Sequence, residues 1–331
     1  MDMDGKRIAL VSVTANGMAI SERLSLEFKA DIFVSSRFAG TGNYKVFHHA
    51  GDITSLIFEN YVAAVFIMSL GAVVRIIAPY LHDKFHDIPV LAIDDSARFV
   101  IPLTGGHHGA NDMAGKIAHI LGACAVITTA SDLHGITAVD SVAMKYGMVI
   151  ENRENLAPVS GDMLAGDPVQ VINRAGVSVP ELQGSSSGRK IIITYMDEQD
   201  DSALILVPQV LDLGIGFSSD ATLKDMLKAI ESTFKKFHLL MEAIRSISTI
   251  DIKSGNPDIK KLSENLKCPL HFYPARELNR HASEKSNAVY MATGAYSVSN
   301  AAARISSGNG MQIVSKEIIN NVTVSVFLDG H

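Results

Sequence analysis

Tryptophan is absent from these 331 residues, aromatic side chains make up 6% of them, and cysteine occurs only twice. So few rings argue against a sugar or single-strand platform built from stacked aromatics. Cys124 and Cys268 lie far apart in apolar or proline-flanked settings, which supports neither a disulfide framework nor a Cys-rich zinc site and fits a reducing cytoplasm. No block of lysine or arginine stands out in a chain of formal net charge −6. The electrostatic footprint of a nucleic-acid or membrane-surface binder is therefore missing, and an anionic ligand would have to be held locally. Long apolar runs are missing too: the opening MDMDGKRIALVSVTANG holds only about seven consecutive apolar residues, short for a signal peptide or membrane span. The expectation is a cytoplasmic protein whose partner is a small molecule, with no nucleic acid and no membrane. A homo-oligomer is compatible with the same composition.

What is present is a globular chain, 47% hydrophobic and 19% charged, long enough for two or three cores. RIALVSV, DIFVSS and AAVFIMS read as buried strands, separated by helices from about Gly17 to Phe28 and over ITSLIFENY. Strands and helices alternate at the lengths of βαβ units with a parallel sheet. The fold class expected is α/β in three parts: an N-terminal doubly wound parallel sheet over residues 1–132, a small middle domain over 133–209 and a C-terminal α/β domain over 210–331. Loop-rich sequence follows Leu133, after a helix read over HGITAVDSVAMKYGMVI, and KIIITY and ALILVPQVL read as two strands bracketing an acidic turn.

Chemistry concentrates between Ser69 and Asp132. A helix begins after Gly71 at the end of a strand, where open α/β sheets hold their ligands. Arg75 on that helix either contacts a ligand or pairs with Asp83 or Asp87. PVLAIDD and RFVIPLT read as a hairpin turning at Asp94-Asp95-Ser96-Ala97. Gly105, Gly106, His107, His108 and Gly109 then lead into a helix with apolar positions at Met113, Ala114, Ile117, Ala118 and Leu121 and with Asn111 or Asp112 as N-cap. Such a turn presents backbone N–H groups to one point and favours an anion there; the alternative is a tight turn that simply needs glycine. Adjacent histidines project in different directions, and no carboxylate stands at a ligand spacing from them, so no metal site is expected. CAVITTASD reads as a further strand that ends in Thr128, Thr129, Ser131 and Asp132.

In the C-terminal part, an amphipathic helix carries Leu223, Met226, Leu227, Ile230, Phe234 and Phe237 on one face, capped by Asp220 or Thr222. Gly214-Ile215-Gly216 lacks the third glycine and the acidic residue of a dinucleotide fingerprint. No Walker sequence and no Gly-x-Ser-x-Gly elbow occurs.

The segments Gly71-Ala-Val-Val-Arg75, Asp83-Lys84, Ile101-Pro-Leu103 with Gly106-His107, Gly109-Ala-Asn111 and Val126-Ile-Thr-Thr-Ala130 through Asp132 closely resemble the CbiG family, the cobalt-precorrin-5A hydrolases of the oxygen-independent cobalamin pathway. Thr249-Ile-Asp251-Ile-Lys253, Phe272-Tyr273, Ser297-Val298 and Lys316 resemble that family's carboxy-terminal domain. The middle part and the first fifty or so residues match weakly. The resemblance implies opening of a δ-lactone on the ring A acetate and loss of C20 as acetaldehyde, with no separate cofactor, because the substrate itself carries cobalt. Against the family pattern, the turn is one residue shorter after the histidine, Phe217 replaces a cysteine, and Asn256 and Asn300 replace glutamates.

Under this resemblance His107 or His108 is the general base, and Asp132 or a histidine takes the proton of the second step. The backbone of Gly105, Gly106 and Gly109 holds an oxyanion or a carboxylate. Asn111, Thr128 and Thr129 line the same place, and Arg75, Lys84 and Lys253 receive substrate carboxylates. Arg75, the glycine turn and the strand end at Thr128 to Asp132 are expected to surround one face of the corrinoid. The rivals are a non-catalytic corrinoid-binding or scaffold protein, and a metal-dependent hydrolase.

Overall fold

The computed structural model describes residues 7–39, 42–83, 86–106, 109–129, 138–198, 200–283 and 285–330. The chain forms two compact units, Met1–Lys145 and Tyr146–His331.

In the first unit, strands β1 (Ile8–Ser12), β2 (Ala30–Ser35), β3 (Lys45–Phe47), β4 (Ala64–Ile67), β5 (Val90–Ile93), β6 (Phe99–Thr104) and β7 (Cys124–Ala125) alternate with helices α1 (Ala15–Ser25), α2 (Ala50–Asn60), α3 (Leu70–Ile77), α4 (Ala110–Leu121) and α5 (Val139–Lys145). The sheet order is β3-β2-β1-β4-β5-β6-β7, and the first five strands are parallel. β1, β4 and β5 are buried along their whole length, as a strand covered on both faces must be. Alternate residues divide between two cores: Leu10, Val65, Ile67 and Leu91 pack with Met113 and Ile117 of α4, while Val11, Phe66 and Ala92 pack with Ile57 of α2 and Val73 of α3. This is the doubly wound arrangement expected, with the strand order reversing between β1 and β4.

The hairpin forms where the sequence places it. The Ala97 N–H donates to the Asp94 carbonyl at 2.8 Å, and the Asp94 carboxylate accepts from the backbone of Arg98 and Phe99 at 2.8 and 2.7 Å. Burial pushes the Asp94 carboxyl up, but the N–H groups of Phe99, Arg98 and Ser96 outweigh it and hold it below its ordinary value. β6 therefore runs antiparallel to β5, and β7 is parallel to β6. Two expectations shrink here. Of CAVITTASD, Cys124–Ala125 alone is strand among the described residues, where β7 is the edge of the sheet and has β6 as its one neighbour, and the helix read over HGITAVDSVAMKYGMVI is described only from Val139 to Lys145.

In the second unit a four-stranded sheet, ordered β8-β11-β10-β9, comprises β8 (Val149–Ile150), β9 (Val169–Asn173), β10 (Arg189–Ile193) and β11 (Leu204–Val207), with α6 (Leu156–Ala165). β10 and β11, read as strands around an acidic turn, are parallel neighbours. A five-stranded sheet follows, ordered β14-β13-β12-β16-β15: β12 (Leu211–Phe217), β13 (Ile244–Ile250), β14 (Leu270–Tyr273), β15 (Gln312–Ile319) and β16 (Val322–Leu328). Its helices are α7 (Leu223–Lys236), α8 (Pro257–Asn265), α9 (Ala275–His281), α10 (Asn287–Thr293) and α11 (Ser299–Ser306). Thr222 caps α7 in a capping box with Asp225. One core runs through both sheets, joining Ile192 and Ile205 to Leu213, Ile247 and Phe234. Cys268 is buried, and burial pushes its thiol up to about 11, which makes it a packing residue.

A buried charge lies at the start of β12. Asp212 has no exposed surface; it accepts from Arg245 at 2.7 Å and from the Ser246 hydroxyl. Arg245 also meets Asp329 at 3.0 Å and the Ser306 carbonyl at 2.9 Å. Removing one partner of such a pair strands the other, and Arg245 retains part of its company. Asp212→Ala is therefore expected to cost about 3 kcal/mol in urea unfolding, the low end for breaking a buried pair; a loss within experimental error would show that the carboxylate contributes nothing net.

Candidate functional site

The strand order reverses between β1 and β4, and the carboxyl ends of such a pair are the usual ligand position in these sheets. Thr14 accepts from the Gly17 N–H at 2.9 Å, capping α1, and donates its own proton to Asp95. Asn16 donates to the other Asp95 oxygen at 3.1 Å. The start of α1, directly after β1, is thus tied to the turn after β5. Sequence reasoning singled out neither Thr14 nor Asn16; the signal was the strand-to-helix junction itself. Arg75 belongs to the same end of the sheet: its guanidinium reaches back along α3 and donates to the Gly71 carbonyl at 2.8 Å, with the side chain exposed. Neither suggested acid is its ion partner, since Asp83 pairs with His86 and Asp87 with His82.

The glycine turn lies at the opposite end. Because β6 is antiparallel to β5, Thr104 is level with Val90, the first residue of β5. Gly105 follows with φ +70° against Pro89, where a Cβ would stand 2.7 Å from the Pro89 Cα, so glycine is required there on two counts. Gly109, at φ 88°, is the N-cap of α4, which corrects the expectation that Asn111 or Asp112 caps it. Asn111 instead points its amide across the turn and donates to Thr129 at 3.0 Å. A Cβ on Gly106 would lie 3.5 Å from both of those side chains. The structure thus brings Gly105, Gly106, Gly109, Asn111 and Thr129 together; Thr128, beside them in sequence, is exposed. Arg75 is at the other end of the same strands, so the expectation that it shares one face with the glycine turn is corrected. His107, His108, Lys84 and Asp132 lie outside the described residues.

A cavity of about 310 Å³ opens in the second unit at the carboxyl ends of β12 and β13. Gly216 and Phe217 end β12 there, Thr249 and Ile250 end β13, and Ala288 and Ala292 of α10 form the facing wall. Lys253, expected as a substrate contact, lines it, with its ammonium 4.8 Å from the centre of the Phe217 ring. Lys316 of β15 lines it as well. Asp220, near Lys253, is held below its ordinary value chiefly by the Ser218 hydroxyl. The two asparagines that depart from the family pattern have structural roles. Asn256 caps α8, accepting from Asp258 and Ile259 at 2.8 and 3.2 Å. Asn300 is buried, accepts from Ser283 at 2.9 Å and donates to the Ser315 carbonyl at 3.0 Å, a donation a carboxylate cannot make.

Among the described residues, no group of three or more His, Cys, Asp or Glu side chains is set to hold a metal, and no helix is long and apolar enough to cross a membrane.

Parallel-dominated sheets, one of them with a cavity of about 310 Å³ at the carboxyl ends of its strands, define an α/β protein of the kind that takes ligands at strand ends. Residues 52–132, 137–211 and 211–327 match, in that order, the family profiles described as cobalamin synthesis G N-terminal, cobalamin biosynthesis central region and cobalamin synthesis G C-terminus. The chain belongs to this cobalamin-biosynthesis family, CbiG, as its motifs implied. It is 30% identical to the cobalt-precorrin-5A hydrolase of Priestia megaterium, over 97% of this chain and 94% of that one. It is 26% identical to the enzyme of the same name from Salmonella typhimurium, over 89% and 90%. Among solved structures, a cobalamin biosynthesis protein G homolog from Sulfolobus solfataricus is 24% identical over 97% of both chains, with a TM-score of 0.40.

Proposed function

We propose that this chain hydrolyses cobalt-precorrin-5A. The observation that carries the reading is the end-to-end match to a named cobalt-precorrin-5A hydrolase, at 30% identity across 97% of the chain.

The chemistry has two steps. Water adds to the lactone carbonyl, the tetrahedral oxyanion collapses, and the C20 alkoxide leaves and takes up a proton, giving a free acetate arm and a carbinol. A base then removes the carbinol proton, the C=O of acetaldehyde forms, and the bond from C20 to the ring breaks with its electron pair moving into the macrocycle, which the bound cobalt makes a good sink. The product is cobalt-precorrin-5B. The first step needs a base for the water and hydrogen-bond donors for the oxyanion. The histidines within the glycine turn supply the base in this reading. The backbone N–H groups of Gly105, Gly106 and Gly109 supply the donors. Asp132 serves the carbinol proton, and Lys84 holds a peripheral carboxylate. Cobalt enters as part of the substrate, and no further cofactor is called for.

Purified protein given cobalt-precorrin-5A should release one equivalent of acetaldehyde, followed by coupling to alcohol dehydrogenase and loss of NADH absorbance. Binding of the corrinoid without acetaldehyde would overturn the hydrolase reading in favour of the carrier.

A further inference from the structure

The polar groups around the cavity of the second unit are almost all committed within the protein. The Thr249 hydroxyl donates to the Ile215 carbonyl at 2.7 Å, Thr293 to Val289 at 2.8 Å and Thr323 to Gly216 at 3.0 Å. The Ser218 hydroxyl is taken by Asp220, which also engages Asn321. Three lining groups are left over. Ser297 is about nine-tenths buried, and its hydroxyl has no hydrogen-bond partner among the described residues. Lys253 and Lys316 are half-buried, and no carboxylate among the described residues lies within 4 Å of either ammonium. Two cations and one hydroxyl lining an opening with Ala288 and Ala292 on one wall are a donor set for an anion.

We infer that this cavity receives one carboxylate arm of a tetrapyrrole, with Lys253 and Lys316 supplying the charge and Ser297 a hydrogen bond. That the anion is a carboxylate on a corrinoid rests on the hydrolase reading; that the cavity takes an anion rests on the residues alone. Its volume of about 310 Å³ is at the lower limit of small-molecule pockets, roughly 300–1,000 Å³, and fits an acetate or propionate arm with its attached ring edge but not a whole macrocycle. The wall permits this. Ala288 and Ala292 are the residues of α10 that leave the space open, and α10 itself buries no residue, so it stands as a thin cover held at its ends by the Ser286 cap and by Gly294 in the left-handed conformation. The Phe217 ring under the Lys253 ammonium fixes that cation without neutralising it.

The test uses the full chain and two probes: cobyrinic acid, a corrinoid whose acetate and propionate arms are free, and its fully esterified form, each titrated through the corrin visible band. Wild-type protein should prefer the acid. Lys253→Gln and Lys316→Gln should each weaken the acid about tenfold, the scale of one well-placed charged contact, and leave the ester and the melting temperature unchanged. Ala292→Phe, which fills the cavity, should erase the preference. Equal binding of acid and ester by the wild type, or an undiminished preference in the double lysine variant, overturns the inference. The two readings fail separately: acid preference without acetaldehyde release removes the hydrolase and leaves the cavity, whereas acetaldehyde release with an unchanged KM in both lysine variants removes the cavity and leaves the hydrolase.

Discussion

Gly214→Ala is expected to destabilise the second unit by about 4 kcal/mol or more, the range in which a named steric cause is required. A Cβ at Gly214 would stand 1.8 Å from the Ser299 carbonyl oxygen and 2.8 Å from the Ala303 backbone nitrogen. Both are main-chain atoms of α11, so no rotamer change relieves the clash and the helix itself must shift. Ala301, Ala302 and Ala303 on that helix are fully buried, and a shift would open voids along its whole contact with the sheet. Gly216 makes the informative control. Its added Cβ would meet the Thr323 hydroxyl at 2.6 Å, with the Val298 Cβ at 3.6 Å and the Ser299 nitrogen at 3.8 Å in ordinary contact, and the threonine side chain can rotate away at the cost of its hydrogen bond to Gly216. Urea unfolding should therefore separate a severe Gly214→Ala from a mild Gly216→Ala; equal, small losses would mean that α11 is not held against β12 as described. The pair that reads in sequence as a failed dinucleotide fingerprint is thus explained by close approach of a helix and by access to a cavity.

Local signals in the sequence carried most of the fold. The all-apolar runs of β1, β4 and β5 imply burial on both faces, and the Asp94–Ala97 turn and the face of α7 were legible because each depends on a few neighbouring residues. What these signals do not carry is direction over distance. A hairpin between β5 and β6 reverses the chain, so the glycine turn that follows β6 falls at the amino ends of the parallel strands and not at their carboxyl ends beside Arg75. The preference of ligands for carboxyl ends belongs to parallel strands, and the antiparallel β6 changes which strand ends are neighbours. The residues of the cavity were illegible for a related reason: Lys253, Ser297 and Lys316 come from three separate parts of the chain, and only β12 and the helices packed on it bring them to one opening. Lys253 and Lys316 stood out through family resemblance alone, with no spacing to connect them. Asn111 and Gly109 both suit a helix start, and the contact with Thr129 that claims the Asn111 side chain and leaves the cap to Gly109 is tertiary.

Exchange of both His107 and His108 for alanine is expected to lower acetaldehyde release about a thousandfold, the middle of the range for losing a general base, with the unfolding curve unchanged. The requirement comes from the chemistry: water is a poor nucleophile toward an ester carbonyl at neutral pH, and imidazole is the side chain whose ordinary value, about 6.5, lets it be neutral and basic there. The support comes from what flanks the pair. Gly105 is fixed against Pro89, Gly109 caps α4, and Asn111 is tied to Thr129, so the turn carrying the histidines has anchors on both sides. Consecutive residues project differently, so one single variant should carry nearly the whole loss and the other remain near wild type. The active form needs its base unprotonated, so kcat/KM should fall on the acid side and level off above the histidine's titration, and the variant that loses activity should lose that acid limb with it. A pair acting as metal ligands would behave otherwise: both single variants would fail, and elemental analysis of the substrate-free protein would find stoichiometric metal. Acetaldehyde release that survives in the double variant would move the base away from this turn altogether, leaving its glycines as an anion cradle and nothing more.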